Sequence, residues 1–73
     1  MSWGKFHHEA MRLAQEAEIL LKEGKNGQAK ERYKWAADVE LRALLDCDPR
    51  NVRTFAITRD SLGALRKKAA EIV

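Results

Sequence analysis

Two short interruptions divide this chain into three stretches and set what it can fold into. The first is Gly24-Lys25-Asn26-Gly27, and the second is Asp46-Cys47-Asp48-Pro49-Arg50-Asn51. Gly24 suits the left-handed residue that closes a helix, and Asn26 or Gly27 can open the next one. Pro49 biases Asp48 away from the helical region, so a second helix should stop there. Asp48 is then placed to cap a third helix, with Pro49 at its first position. Between the breaks the chain is rich in Ala, Leu, Glu, Lys and Arg, which favour helix. No segment alternates apolar and polar residues for long enough to be a strand. The expected fold is therefore all-α, one domain over residues 1–73, with helices at about 3–23, 27–46 and 50–72. The four-residue first break makes the first two helices an antiparallel hairpin, and the third packs on it as a three-helix bundle.

At about 100° per residue, the first helix gathers Trp3, Phe6, Ala10, Leu13, Ala14, Ala17, Leu20 and Leu21 on one face. The second carries Ala29, Tyr33, Ala36, Ala37, Ala43, Leu44 and Cys47 in a stripe, widened by Trp35 and Val39 on one flank and Leu41 and Leu45 on the other. A helix apolar over so much of its girth is packed on two sides, which suits the middle element of three. The third gathers Phe55, Leu62, Leu65, Ala69, Ile72 and Val73, and leaves Ile57 and Ala64 behind. Alanines face alanines across the hairpin, and small residues at a crossing let two helices approach closely.

With 73 residues there is room for one small core. Apolar runs end after three or four residues, far short of the roughly 20 that span a bilayer, so no membrane insertion is expected. The start, MSWGKFHHEA, lacks the apolar stretch of a secretory signal. A single cysteine leaves no internal disulfide and no cysteine-based zinc site. A cytoplasmic setting is the expectation.

The net charge of +3 is unevenly spread: residues 49–73 hold six basic and two acidic side chains. Arg66, Lys67 and Lys68 form a candidate basic patch for an anionic partner, nucleic acid included. Phe55 is the one aromatic residue of that third, so a base-stacking platform is missing and nucleic acid stands as the alternative partner, not the leading one. The same cations also suit the C-terminal end of a helix.

Candidate chemistry is sparse. His7 and His8 are neighbours, about 100° apart on a helix, and cannot share a metal on one face; no metal and no cofactor is expected. His7 lies at the edge of the apolar face. Cys47 sits between Asp46 and Asp48, whose charges disfavour a thiolate. The scattered Ser and Thr hydroxyls have no base in sequence to activate them. No enzyme is expected. Glu40 stands out, because it falls in the middle of the second helix's apolar stripe. A buried carboxylate is costly unless paired, and Arg59 and Arg53 of the third helix are its expected partners in an internal ion pair. Trp35, Ile19, Ile57 and Val73 exceed what internal packing needs and are candidate interface residues.

The hairpin resembles a tetratricopeptide repeat in Ala17, Leu20, Gly24, Ala29, Tyr33 and Ala36, which follow that family's order of small, large, turn glycine, small, aromatic and small residue. The stretch Leu45-Asp46-Cys47-Asp48-Pro49-Arg50-Asn51 resembles the family's closing segment, displaced by about two helical turns, so the second helix is longer than a standard repeat's. From Ala10 to Ala43 the chain also resembles the microtubule-interacting and trafficking domain, with its alanine-rich hairpin, long second helix and third helix alongside. Both families are binding modules. The resemblance implies a non-enzymatic protein–protein interaction module. A partner helix or peptide is expected beside the third helix; alternatively the surplus apolar Trp35, Ile19, Ile57 and Val73 imply self-association through helix two or three, as a homodimer or larger helical assembly.

Overall fold

The computed structural model describes residues 2–73 and forms them into three helices, α1 (Ser2–Lys22), α2 (Asn26–Asp46) and α3 (Val52–Glu71). No strand occurs among the described residues. None of the helices is long and apolar enough to cross a membrane.

The first turn is built around Gly24, whose φ of 78° is the left-handed conformation that a side chain disfavours. Its N–H donates to the Leu21 carbonyl at 3.0 Å, and the Lys25 N–H reaches back to Leu20 at 2.9 Å. This pair of bonds is a Schellman closure, and it satisfies carbonyls that the end of α1 would otherwise leave bare. The second break differs from expectation. Asp48 does not cap α3; its carboxylate is taken by the backbone N–H of Arg50 at 2.9 Å and by the Arg50 guanidinium. Pro49 sits inside a tight turn that the Asn51 N–H closes on the Asp48 carbonyl at 2.9 Å. Asn51 is the cap instead, its side chain accepting from the Thr54 N–H at 3.3 Å. α3 consequently begins at Val52, two residues after the expected start.

α2 packs against both other helices, whereas α1 and α3 meet only along their edges. Lys30 near the start of α2 donates to the Ile72 carbonyl just past the end of α3 at 3.0 Å, so α2 runs antiparallel to α3 as well as to α1. Ala10, Ala17, Ala29, Ala36 and Ala43 have no exposed surface and form the close α1–α2 crossing. Leu13, Tyr33, Leu62, Leu65, Ala69 and Ile72 complete the core beside it. Leu45 departs from its expected place on the apolar flank: it is 74% exposed, on the side of α2 turned away from both neighbours.

The crossing gives a direct test. Ala36→Leu forces a larger side chain between α1 and α2 and should cost roughly 1–3 kcal/mol in a urea melt, whereas Gln15→Leu on the exposed side of α1 should change stability by less than about 0.5 kcal/mol.

Candidate functional site

Two of the three largest fully buried side chains are polar, namely Glu40 and Thr58. Both belong to a chain of contacts that ties the three helices together at one level. His7 Nδ1 lies 2.7 Å from Glu40 Oε2, and with its proton on that nitrogen the imidazole donates to the carboxylate. The His7 ring stacks on Trp3, the ring centroids 5.2 Å apart and the planes 7° from parallel. Trp3 in turn donates its indole N–H to the Thr58 hydroxyl at 2.7 Å, and Thr58 donates to the Thr54 carbonyl at 2.8 Å. Glu40 Oε1 has no hydrogen-bond partner among the described residues.

This corrects the expected partners of Glu40. The carboxylate is buried, but α1 supplies its partner and α3 does not. Arg59 is exposed and contacts the carboxylate of Asp60 at 3.2 Å, and Arg53 is exposed as well. The cause is angular. Thr58 points inward at the level of Glu40, and its neighbour Arg59 is turned about 100° away, into water.

Above this cluster, α1 and α3 diverge enough to leave a groove between them, with α2 beneath. The hollow has a volume of about 360 Å³ and is lined by Met11 and Ala14 of α1, Tyr33 of α2, and Ser61, Ala64 and Leu65 of α3. Its far end is polar. The Tyr33 hydroxyl donates to Glu18 at 2.5 Å, and Lys68 approaches the same carboxylate at 4.0 Å. Burial and the hydrogen bond to Glu18 push the Tyr33 phenol up to about 12. From Ser61 to Lys68 the groove runs about 10 Å along α3, at about 1.5 Å per residue.

The four candidate interface residues are all at least half exposed, but they do not form one patch. Ile19 lies on the outer side of α1 and Trp35 on the outer side of α2. Ile57 continues the Ser61–Ala64 side of α3 at helical spacing, and Val73 is at the C-terminal end. Trp35 borders a second open hollow, of about 690 Å³, with Phe6, Asp38, Val39 and Arg42. The candidate basic patch disperses too. Lys68 turns to Glu18, while Arg66 borders a hollow on the opposite side of α3 with Lys30 and Lys34. Consecutive residues on a helix diverge by about 100°, so Arg66, Lys67 and Lys68 cannot share a face.

Cys47 is buried, and its sulfur lies 3.8 Å from the Asp48 carbonyl. Among the described residues no three His, Cys, Asp or Glu side chains converge to hold a metal ion. Sequence reasoning had singled out Glu40 and passed over His7, Trp3 and Thr58 as its network.

Removing His7 strands a buried carboxylate. His7→Ala should therefore lower unfolding free energy by about 2–4 kcal/mol, while Arg59→Ala and Arg53→Ala should each stay within about 0.5 kcal/mol of the parent. Denaturant melts of the three variants decide between the two pairings.

Tyr33 is the single tyrosine, so its phenolate absorbance can be titrated cleanly. The expected midpoint is about 12, against an ordinary value of 10.0. Between those two values the unfolded chain has lost a proton that the folded chain retains, so stability falls as pH rises through that window. Tyr33→Phe should abolish that part of the alkaline loss. A midpoint at the ordinary value would place the phenol in water.

No known family matches this chain, nor does any curated protein or solved structure.

Proposed function

We propose that this chain is a non-enzymatic protein-interaction module whose groove between α1 and α3 receives an amphipathic helical segment of a partner protein. The observation that carries the proposal is the groove itself: methyl groups and the Tyr33 ring along its floor, with the Tyr33–Glu18–Lys68 polar cluster at one end. A length of about 10 Å accommodates roughly two turns of helix, enough for anchors at i, i+3, i+4 and i+7. The Glu18–Lys68 end offers both signs of charge to the partner's polar flank. The Ser61 hydroxyl lies in the groove but has no base hydrogen-bonded to it, so the lining suits contact rather than acyl transfer.

The likeness of the hairpin to tetratricopeptide repeats and to the microtubule-interacting and trafficking domain supports the same reading, since both are binding modules. The single buried thiol fits a cytoplasmic setting. The alternative, an anionic partner at the basic C-terminal third, has less support, because those cations point in different directions.

A displayed library of amphipathic helical peptides tests the proposal. Selected binders should shift the amide resonances of Met11, Ala14, Ala64 and Leu65. Ala64→Arg, at an exposed position, should weaken them at least about tenfold by filling the groove. Binders that map elsewhere, or that tolerate Ala64→Arg, would overturn it. Tight binding of an oligonucleotide that falls steeply with salt would favour the anionic partner instead.

A further inference from the structure

The side of α2 turned away from the groove carries a pattern of its own. Glu31, Trp35, Asp38, Arg42 and Leu45 recur at alternating spacings of four and three residues, and all five are exposed. That spacing keeps one stripe of a helix against a partner helix over several turns. Trp35 and Leu45 are large apolar residues 50% and 74% exposed. Arg32 lies over the Trp35 ring, 5.5 Å from its centroid, and the rest of the ring borders the open hollow with Asp38 and Arg42. Asp38 and Arg42 are one turn apart on α2 and of opposite sign, yet they make no salt bridge with each other or with any other described residue.

The order of these side chains is self-complementary on reversal. Trp35 and Leu45 are equidistant from position 40, and so are Asp38 and Arg42. When two copies of α2 lie antiparallel about a two-fold axis at that level, Trp35 of each meets Leu45 of the other. Asp38 of each then meets Arg42 of the other. A two-fold contact requires this: one patch that pairs with its own reversed copy. We infer that the outer side of α2 is a homodimer interface, in which an antiparallel α2–α2 contact pairs Trp35 with Leu45 and Asp38 with Arg42 across the two-fold axis. The charges set the direction and register, since a parallel pairing places Asp38 on Asp38 and Arg42 on Arg42. One helix face is smaller than the standard interface of about 800 Å² per partner, so the dimer is a transient one. The interface lies opposite the groove and does not depend on the groove's function; each dimer presents its two grooves outward.

Sedimentation equilibrium of the full chain from micromolar to millimolar concentration tests this. The parent should pass from one chain to two across that range. Asp38→Arg and Arg42→Asp each set like charges face to face twice in the dimer, and should each raise the dissociation constant at least about tenfold. The double variant with both changes exchanges the charges and should restore the parental constant. Both positions of change are exposed, and circular dichroism checks that the variants remain helical. Ala64→Arg, in the groove, should leave the dissociation constant unchanged, which separates this result from the fate of the groove proposal. A mass of one chain at every concentration would overturn the inference. So would a dimer indifferent to both single changes, or a double variant as weak as the single ones.

Discussion

Glu40 has no exposed surface, and a carboxylate taken out of water is costly unless something meets it. His7 meets it, and much of the bundle's arrangement follows from that contact. The imidazole must reach across the hairpin, so α1 cannot slide along α2 by even one turn, about 5.4 Å, without leaving both groups bare. The same imidazole stacks on Trp3, which holds the first turn of α1 and aims the indole N–H at Thr58. A core made largely of alanines specifies register weakly, because one methyl group packs much like another. The polar chain from Glu40 to Thr54 supplies the specificity that the small side chains lack, in the manner of a polar group fixing register within an apolar seam.

The three helices, their breaks and the alanine crossing were legible from residue type and spacing. Gly24 marked the first turn and Pro49 the second, and Glu40 declared itself as a charge among apolar neighbours. Its partner was legible too, but only through the geometry of the hairpin. His7 lies 17 residues before Gly24 and Glu40 lies 16 after it, which brings them to one level when the helices fold back. The second turn does the same for α3: Glu40 is nine residues before Pro49 and Thr58 nine after it. Charge complementarity pointed to Arg59, at the right height and on the wrong side. The capping error has a similar origin. Asp48 is a good cap in isolation, but a local turn with Arg50 claimed its carboxylate first. Whether Leu45 faces inward or outward depended on where α3 sits around α2, which a single helix's pattern does not contain.

α2 is the shared wall of everything described. One side of it floors the groove through Tyr33, and the other carries the Trp35–Leu45 stripe. A long middle helix with a neighbour on either flank has two faces left, and this chain gives them different chemistry. The groove is lined by small and aromatic groups with its charges already engaged at one end, while the outer stripe combines large exposed apolar residues with charges that have no internal partner.

The unequal hold on α3 has a kinetic consequence. α1 and α2 share the more extensive contact and are joined by a short loop, whose closure costs little entropy. Release of α3 breaks the Trp3–Thr58 and Lys30–Ile72 bonds and exposes Leu62, Leu65, Ala69 and Ile72, while the alanine crossing and the His7–Glu40 contact stay closed. The hairpin is thus the unit expected to form early and open late, with α3 opening first. Were the proposed partner helix to lie between α1 and α3, it would latch α3 shut and lengthen the lifetime of the closed bundle.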